Sequence, residues 1–422
     1  MLDQSTWPVI TLGDLITDMQ PGFARRPNVE KSGIAQLRTN NISNSGSMDL
    51  SDVKYVNASR SEQEKYSVKK GDVIFNNTNS PELVGRAAFF DLDDQFLISN
   101  HMTRLRTKAD LLDPQFLARY LHYLWQKGAS LRWAKQWVNQ AAIDQVGLSQ
   151  FLIPLPPLPE QRRIVAILQK AEELRQLRRH ANQRARELLP ALFSLMFLGR
   201  SKHSTQRLST FSETRYGTSK KASEDPKHGI PVLRIPNVFL GRADRTNLKY
   251  VNITRQEREN LSLKYGDVLL VRSNGNREYV GRSIAYDEIG VEETFASYLI
   301  RVRVDTNVIF PEYLSDYLHT PEGKKQIQER TRTAAGQYNI NAQAIEAFQI
   351  PVPALNLQRR YVEYRQEIEK LEDKGKLTES LLGGLQHSLL SRAFTGELTA
   401  AWMEAHIDEL RTATDERDRL LG

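Results

Sequence analysis

Two stretches of the chain, residues 1–153 and 201–350, carry short runs of β-branched and aromatic residues interrupted by turn-forming residues. The runs Val73–Phe75 and Val268–Val271 each follow a Gly-Asp pair, which predicts a turn and then a strand. Leu299–Val304 alternates apolar and polar positions, which predicts a half-buried strand. Because no long helical repeat runs through either stretch, we predict one α+β domain in each.

Residues 154–200 and 351–400 have a different pattern, in which apolar side chains recur at intervals of three and four. Each stretch opens with prolines, and the first then nearly lacks glycine and proline. This spacing predicts a heptad seam along a long helix. The predicted seam consists of Ile164, Ile167, Ala171, Leu174, Ala181, Ala185, Leu188, Leu192 and Leu195 in the first stretch, and of Tyr361, Tyr364, Ile368, Leu371, Thr378, Leu382, Leu385 and Leu389 in the second.

Neither predicted helix can bury its apolar stripe alone, so we expect the two helices to pair as an antiparallel coiled coil. At about 1.5 Å per residue, each helix would be roughly 50 Å long. Arg178 and Gly375 interrupt the two seams at matched positions. Pro190 predicts a kink or break in the last third of the first helix. Residues 401–422 are expected to form a helical tail.

The two halves of the chain repeat the same motifs in the same order. The shift is 195 residues between Lys54 and Lys249, and 197 residues between Ile153 and Ile350. So long a period indicates a duplicated domain rather than a solenoid repeat. The predicted fold is therefore α+β, with two similar domains joined by two long helices in a pseudo-two-fold symmetric arrangement. The matched motifs are Leu37-Arg38 and Leu233-Arg234, Lys54–Asn57 and Lys249–Asn252, Gly71–Val73 and Gly266–Val268, Val84–Arg86 and Val280–Arg282, and Gln161–Arg163 and Gln358–Arg360.

Composition narrows the class of protein. The chain has 422 residues, 40% of them hydrophobic, and no cysteine, which excludes disulfides and thiolate metal sites. No apolar run is long enough to span a membrane, and residues 1–4 lack a signal pattern. We therefore expect a cytoplasmic protein without a membrane partner. The net charge of +7 is compatible with a polyanionic partner.

The polar loops that follow the two Gly-Asp strands are the best candidates for reading DNA. Asparagine pairs in a bidentate manner with adenine, and arginine with guanine, in the major groove. Each loop has the alternative interpretation of an ordinary turn, and the flanking segments that of a solvated surface. The predicted DNA-binding residues are Arg38, Asn41, Asn76, Asn77, Asn79 and Arg86 in the first half, and Arg234, Asn237, Arg272, Ser273, Asn274, Asn276, Arg282, Gln337 and Tyr338 in the second.

The sequence offers no constellation for catalysis. It has no phosphate-binding loop, no dinucleotide-binding glycine motif and no clustered histidines. Asp72 and Asp267 are expected to serve the turns rather than to act as catalytic carboxylates. We therefore predict a protein with no catalytic residues, metal ligands or cofactor of its own.

With these features together, the chain resembles the specificity subunits of type I restriction–modification systems. The resemblance rests on Ile153–Val165, which reads IPLPPLPEQRRIV, and on Leu389–Leu398, which reads LLSRAFTGEL. It covers nearly the whole chain. One departure is that Pro353–Gln358 lacks the Pro-Glu-Gln of the first copy, so the contacts of the second helix should differ there.

The resemblance implies a function that the residues alone do not give. Each domain would be a target-recognition domain that reads one half of a bipartite, asymmetric site in double-stranded DNA. Two DNA methyltransferase subunits would bind this subunit and methylate adenine at N6 with S-adenosylmethionine. Two restriction and translocase subunits would use ATP to translocate and cut unmethylated DNA. These cofactors would belong to the partners.

Two other interpretations compete with this function. A two-headed coiled-coil scaffolding protein could have the same architecture without specific DNA recognition. An RNA-binding protein is the second alternative, although the aromatic stacking signature of RNA modules is absent from the sequence. Sequence-specific DNA binding with strong salt dependence would distinguish the DNA-recognition subunit from the scaffold.

Overall fold

The computed structural model describes residues 7–198, 203–239, 241–334 and 336–422. The predicted domain boundary at 200/201 and residues 1–4 lie outside the described residues. The chain divides into two compact units: the part up to Leu177 together with Glu379–Gly422, and Arg178–Thr378. Both long helices contribute residues to each unit, so the units do not coincide with the five segments predicted from the sequence.

The first unit is built on two four-stranded sheets. Its antiparallel sheet has the strand order Ile16–Pro21, Met102–Thr107, Val73–Asn76 and Ala87–Phe89. Its second sheet contains one parallel pair, Ile34–Leu37 with Phe96–Ile98. The remaining strands of this unit are Lys54–Val56 and Ser67–Val68 in the second sheet, Val9–Thr11 with Leu152–Pro154, and the group Thr78–Asn79, Ala141–Ala142 and Lys135–Gln136.

The second unit repeats this plan in the same order along the chain. Its four-stranded antiparallel sheet has the order Ser212–Tyr216, Leu299–Val304, Val268–Val271 and Ser283–Ala285. A short hairpin, Val238–Phe239 with Arg242–Ala243, is added. The other strands are Lys249–Val251, Ile230–Leu233 and Thr294–Phe295, then Ser204–Arg207 with Gln349–Val352, and the group Ser273–Asn274, Gln337–Asn339 and Arg332–Ala334.

Helices pack on one face of each antiparallel sheet. The two long helices are Leu158–Phe193, which continues as a π-helical turn over Ser194–Leu198, and Leu355–Ala393. The first of these runs through Pro190, so there is no break at that proline, whereas the kink that was predicted as the other outcome stays a prediction. The shorter α-helices are Arg60–Tyr66, Pro114–Gln126, Gln145–Ser149, Arg255–Leu261, Pro311–Leu318, Pro321–Arg330, Ala342–Glu346, Ala400–Ala405 and Ile407–Leu421.

The Gly-Asp pairs form turns, as the sequence predicted. Gly71 and Gly266 have φ angles of 98° and 84°, a left-handed conformation that glycine adopts at little cost. Asp72 accepts hydrogen bonds from the Lys69 amide at 2.8 Å and from Arg106 Nε at 2.7 Å. Asp267 has equivalent contacts to Lys264 and Arg303, and these carboxylates raise the pKa of both arginines.

The strand Leu299–Val304 is more deeply buried than its alternating sequence predicted. Arg301 is only 4% exposed, although its position suggested the solvent face. Its guanidinium donates to the backbone carbonyls of Asn260 and Ser262 at 3.3 and 3.1 Å. These bonds, with Asp267 Oδ2 at 4.0 Å from Arg301 Nε, partly compensate the burial of a cation inside the sheet. Both faces of the strand are therefore covered.

A buried glutamine fixes the start of each long helix. Gln161 accepts a hydrogen bond from the Asp113 amide at 2.8 Å and donates to the carbonyls of Leu111 and Pro156. Gln358 has the same pattern, with the Phe310 amide as donor and Val308 and Pro353 as acceptors. The repeated Gln-Arg-Arg motif therefore serves the fold through its glutamine.

The sequence departure at the second helix corresponds to a difference in contacts. Glu160 is 1% exposed and accepts hydrogen bonds from Thr399 Oγ1 at 2.6 Å and Trp7 Nε1 at 3.2 Å. Burial raises the pKa of this carboxyl. At the matched position of the second copy, Leu357 packs against an apolar core. The glutamate thus attaches the C-terminal segment to the first unit.

The long helices pair in an antiparallel manner within each unit. In the second unit, Asn182 donates to the carbonyl of Gly375 at 3.3 Å, whereas the rings of Phe193 and Tyr361 meet edge to face at 5.3 Å. The residue number rises along one helix as it falls along the other. In the first unit, Arg175 Nη1 donates to Gln386 Oε1 at 2.6 Å.

The predicted seam is correct at several positions near the start of each helix but wrong over much of the remaining length. Ile164, Ala171 and Tyr361 are buried, as predicted. The facing positions in the middle are polar or small, and include Arg175, Asn182 and Gly375. The predicted seam residues that are instead exposed are Leu174, Leu188, Leu195, Tyr364, Leu371 and Leu385, together with Ala181 and Thr378.

No helix in the described part of the chain combines the length and apolar character that crossing a membrane requires.

Candidate nucleic-acid interface

In each unit, the polar loop after the Gly-Asp strand meets the segment that precedes the proline-rich stretch. In the first unit, Thr78–Asn79 pairs with Ala141–Ala142, which pairs in turn with Lys135–Gln136. In the second unit, Ser273–Asn274 pairs with Gln337–Asn339, followed by Arg332–Ala334. Two candidate segments that are distant in sequence therefore form one three-stranded sheet, called here the recognition sheet of each unit.

Asn77 and Arg272 occupy equivalent positions beside these recognition sheets. The Asn77 amide donates to the His101 carbonyl at 3.1 Å, and the Asn77 carbonyl accepts from the Ile143 amide at 2.8 Å. The Arg272 amide donates to the Tyr298 carbonyl at 3.0 Å, and its carbonyl accepts from the Ile340 amide at 2.9 Å. The same backbone framework thus presents an amide side chain in one unit and a guanidinium in the other.

Each of these partly exposed side chains contains one buried polar atom that lacks a hydrogen-bond partner. Within the described residues, Asn77 Oδ1 and Arg272 Nε have no hydrogen-bond partner. The rest of the Arg272 guanidinium donates to the Ser297 carbonyl at 3.3 Å and to Asn339 Oδ1 at 3.2 Å. It also lies 4.9 Å from the centre of the Tyr216 ring. These contacts fix the orientation of the guanidinium plane.

An open depression of about 480 Å³ adjoins the recognition sheet of the first unit. None of the side chains that line it is acidic, and three are arginines. His101, at its edge, is the residue whose carbonyl binds the Asn77 amide. The depression therefore presents positive charge beside a polar loop, as a phosphate-binding surface requires. Its lining residues are Ala24, Arg25, Arg26, Gln36, Arg38, Thr39, Asn40, Ser99, Asn100 and His101.

A basic residue in each unit is held against the start of a short helix. Arg25 forms an ion pair with Glu62, and Lys220 Nζ lies 2.6 Å from Glu257 Oε2. Both glutamates belong to capping boxes. The hydrogen bond from Lys220, together with the backbone of Thr254, lowers the pKa of Glu257 to about 2. The neighbouring Arg26 and Lys221 are exposed.

Asn41 and Asn237 are buried and stabilise equivalent turns. Asn41 donates to the Asp49 carbonyl at 2.7 Å and accepts from the Arg38 amide at 2.8 Å. Asn237 donates to the Asp244 carbonyl at 2.7 Å and accepts from the Arg234 amide at 3.0 Å. A base contact by either asparagine stays a prediction, and it would require its turn to open.

Arg38 and Arg234 remain at the surface of these turns. Both side chains are partly exposed. Arg38 Nη2 donates to the Arg25 carbonyl at 3.2 Å, and Arg234 Nη2 donates to the Asn247 carbonyl at 2.9 Å. Each guanidinium is thereby oriented while part of it faces solvent, which suits a phosphate contact.

Asn76 and Arg86 are also used by the fold. Asn76 is fully buried and donates to the Leu83 carbonyl at 3.0 Å. Arg86 is 6% exposed and donates to the carbonyls of Ile42 and Thr39 at 2.6 and 2.9 Å. Burial lowers the pKa of Arg86. These bonds hold the turn that carries Arg38, a role that sequence reasoning missed.

Arg282 shows that matched letters can have different roles in the two units. It aligns with Arg86 in the repeated Val-Gly-Arg motif. Its guanidinium carbon lies only 3.7 Å from the centre of the Tyr279 ring, and the side chain is partly exposed. Arg282 is therefore a partly exposed cation stacked on a tyrosine ring, whereas Arg86 is buried and donates hydrogen bonds to the backbone.

The remaining predicted residues line the recognition sheets. Asn79 and Asn274 are partly exposed and each uses Oδ1 to accept a backbone amide, from Ser80 and Asn276 respectively. Ser273 is buried and donates to Gln337 Oε1 at 3.0 Å. Asn276 and Gln337 are exposed, and Tyr338 is partly exposed.

Sequence reasoning missed His101, Tyr216 and Tyr298, which border the Asn77 and Arg272 positions. Tyr216 and Tyr298 are 41% and 55% exposed. His101 and Tyr298 are separated by 197 residues, the same shift as Ile153 and Ile350. An alignment of the two halves would therefore have paired them as a position where the framework is kept and the side chain differs.

These features define a class: a protein with two recognition domains of one design, each carrying a polar surface with a different set of side chains. Comparison with known proteins identifies the class more closely. Residues 4–186 match the family model of the type I restriction modification DNA specificity domain. The chain is 24% identical to the type I restriction enzyme StySPI specificity subunit of Salmonella potsdam, over 96% of this chain and 91% of that protein.

A second relative and a solved structure extend the comparison. The type I restriction enzyme EcoKI specificity subunit of Escherichia coli K12 is 25% identical, over 95% of this chain and 90% of that protein. A structure that concerns complex assembly and conformational transition of the type I restriction–modification system shares the fold, with a TM-score of 0.60 and 21% identity, over 93% of this chain and 98% of that chain. Over nearly its whole length the chain is thus similar to type I restriction–modification specificity subunits, and residues 4–186 match their DNA specificity domain, which confirms the resemblance seen in its sequence.

Proposed function

We propose that this subunit reads a bipartite, asymmetric site in double-stranded DNA, with one target-recognition domain on each half-site. The observation that carries the proposal is the equivalence of Asn77 and Arg272. The two residues share a backbone framework, but asparagine is suited to adenine and arginine to guanine. Two readers with different side chains at the same position imply two different half-sites.

The charge around these positions supports a nucleic-acid partner. The depression beside Asn77 contains Arg25, Arg26 and Arg38 without an acidic lining residue. Such side chains position a protein on the phosphate backbone, whereas base-edge contacts supply sequence preference. Arg38, at the surface, is placed to contact the phosphate backbone, and Asn77, beside the recognition sheet, is placed to contact a base edge.

The subunit itself is proposed to be non-catalytic and to direct chemistry by its partners. Two methyltransferase subunits would methylate adenine at N6 with S-adenosylmethionine, and two restriction and translocase subunits would carry out ATP-dependent restriction. In the first unit, the outward faces of the long helices offer an apolar surface for a protein partner. It includes Leu174, Leu177, Leu381 and Leu385, which are 44%, 63%, 66% and 48% exposed.

Methylation mapping tests the proposal directly. DNA from cells that carry this subunit and its methyltransferase partner should be methylated at adenines in one bipartite sequence, and cells without the subunit should lack that pattern. Exchanging residues 1–150 for the equivalent domain of a relative should change one half of the site only. If both halves changed together, the model of independent readers would be wrong.

Single substitutions test the two readers. Arg272→Ala should relax one base preference in the half-site bound by the second domain, at a cost of about 1–3 kcal/mol in specific binding. Asn77→Ala should do the same in the other half-site. Lys221→Ala is the matched control, because a phosphate contact weakens binding to all sequences alike. A uniform loss with Arg272→Ala would reassign that residue to the phosphate backbone.

The alternative function is a two-headed scaffold that organises proteins without specific DNA recognition. The exposed leucines of the long helices would suit such a protein equally well. Binding of the assembled complex to duplex DNA discriminates the two functions. A recognition subunit should show a strong salt dependence and a sequence preference that persists as salt is raised, whereas a scaffold should show neither.

A further inference from the structure

The recognition sheet of the first unit ends in a hairpin whose tip is apolar and exposed. Lys135 and Gln136 pair with Ala142 and Ala141, and the Trp137 amide donates to the Gln140 carbonyl at 2.7 Å. Val138 and Asn139 therefore form the tight turn. The side chains of Val138 and Trp137 are 96% and 60% exposed.

The exposure of these two side chains is not required by the hairpin itself. Trp133, just before the first strand of the hairpin, packs its ring 5.8 Å from that of Phe151 and is 42% exposed. Trp137 and Val138 lie further out, beyond the last paired residues, where most of their apolar surface faces solvent. A large apolar surface at such a tip is unfavourable in water until a partner covers it.

The hairpin continues the surface to which DNA binding was assigned above. Its second strand pairs with Thr78–Asn79, and Asn77 and Thr78 donate to the carbonyl of His101 at the edge of the basic depression. The tip is followed by Gln140 and contains Asn139, both exposed polar residues. The surface of the first unit thus carries, in sequence, the basic depression, the amide of Asn77 that is proposed to contact a base, and the apolar tip of the hairpin.

The matched hairpin of the second unit has no such tip. Its strands are Arg332–Ala334 and Gln337–Asn339, and by sequence the connection is Ala335-Gly336. Ala335 lies outside the described residues, and Gly336 has a φ of 75°. By the register of the two hairpins, Ala334 and Ala335 stand where the first unit has Trp137 and Val138, so the apolar tip is a property of one recognition domain.

We propose that Trp137 and Val138 form a wedge that inserts between adjacent base pairs at the half-site bound by the first target-recognition domain. The proposal rests on the DNA-reading function proposed above and adds a distortion of the DNA to it. Apolar side chains that enter a base step unstack it and bend the duplex, and in exchange the bent DNA contacts more protein surface. Sequence would then be read at that step through its ease of unstacking, without a base-edge hydrogen bond.

The test uses the full-length subunit in complex with its methyltransferase partner and the duplex identified by methylation mapping. Each base pair of the half-site and its flanks is replaced in turn by a fluorescent analogue that brightens when unstacked, 2-aminopurine for adenine or pyrrolocytosine for cytosine. Every base pair contains one of these two bases. If the wedge inserts, the fluorescence of the analogue should rise at one base step that does not contain the methylated adenine.

Three variants separate a wedge from other roles of the tip. In Trp137→Ala/Val138→Ala, the signal at that step should return to that of free duplex, and specific binding should weaken about tenfold. Trp137→Phe/Val138→Leu should keep the signal. Val146→Ala is the matched control, because Val146 is 74% exposed in the same unit but lies outside the hairpin.

The outcomes are distinguishable. Sequence-specific binding with no unstacked step besides the methylated adenine would overturn the wedge and leave the DNA-reading function intact. Loss of the methyltransferase from the complex of the double-alanine variant, with the stacking signal unchanged, would make the tip a protein contact and also overturn the wedge. Absence of sequence-specific binding by the unmodified complex would refute the function on which the wedge rests.

Discussion

Gly375 lies in the middle of the second long helix, where glycine costs stability unless close packing requires it. A glycine inside a helix is about 1 kcal/mol less favourable than alanine. At Gly384, in the same helix, an added Cβ would meet nothing within 4 Å. Gly384→Ala should therefore stabilise the helix by about 1 kcal/mol. Gly375→Ala should have the opposite effect.

The reason is the contact with the first long helix. A Cβ on Gly375 would overlap Asn182 Oδ1 and lie 3.2 Å from Asn182 Cγ. Asn182 would have to rotate and give up its donation to the Gly375 carbonyl, at a cost of about 1 kcal/mol. Strain from overpacking adds about 1–2 kcal/mol, the lower part of the usual range, because the obstructing oxygen is at the end of the Asn182 side chain. After the gain in helix propensity, the net destabilisation should be about 1–2 kcal/mol.

Hydrogen exchange in helical peptides that span residues 368–390 measures these effects locally, which suits a chain of two units better than one global transition. The double variant Gly375→Ala/Asn182→Ala should recover most of the loss, because the obstructing amide is gone. A coupling energy of about 1–2 kcal/mol is expected between the two sites. If Gly375→Ala proved as stabilising as Gly384→Ala, the close approach of the helices would be incorrect.

Two further predictions concern the first unit and the helices. Burial lowers the pKa of His122 to about 4 from 6.5, so the unfolded chain takes up a proton at a higher pH than the folded chain does. The contribution of His122 to the free energy of unfolding is therefore retained above pH 6.5 and is lost as the pH falls toward 4. The expected loss is about 2 kcal/mol between pH 7 and 5. All five tryptophans lie in the first unit, so their fluorescence during urea unfolding reports this loss, which His122→Asn should reduce. Inserting one heptad beside both Arg178 and Gly375 lengthens each helix by about 10 Å. If the helices set the spacing of the readers, methylation mapping should show a gap about three base pairs longer with unchanged half-sites, and an unchanged gap would assign the spacing to the partners.

The strands and turns were predictable because their causes are local. A glycine with positive φ at Gly71 or Gly266, followed by an aspartate that accepts hydrogen bonds from the turn, specifies the start of the next strand. The recognition sheets were not predictable in the same way. Pairing of Thr78–Asn79 with Ala141–Ala142 depends on contacts between segments that are far apart in the chain, and no pattern within either segment encodes it.

The middle of the helical seam was predicted wrongly for a physical reason. Hydrophobic spacing identifies an apolar stripe but not the partner that covers it. Leu174 and Leu371 follow the heptad spacing and are nevertheless 44% and 55% exposed, whereas Arg175 and Gly375 face the other helix. A small residue and hydrogen-bonding side chains determine the packing there. In a search for apolar spacing, such residues only interrupt the pattern.

The duplication separates residues that serve the fold from residues for which we propose a role in recognition. Where both copies keep the letter and the contact, as in Gln161 and Gln358, the side chain is buried and its partners are backbone groups. Where the backbone contacts are kept and the residue type changes, as in Asn77 and Arg272, the side chain is partly exposed. Arg86 marks the limit of this rule, since its counterpart has the same letter and another environment. The role of a residue in one unit therefore transfers to its counterpart in the other only when the contacts of the two side chains, and not only the residue types, are the same.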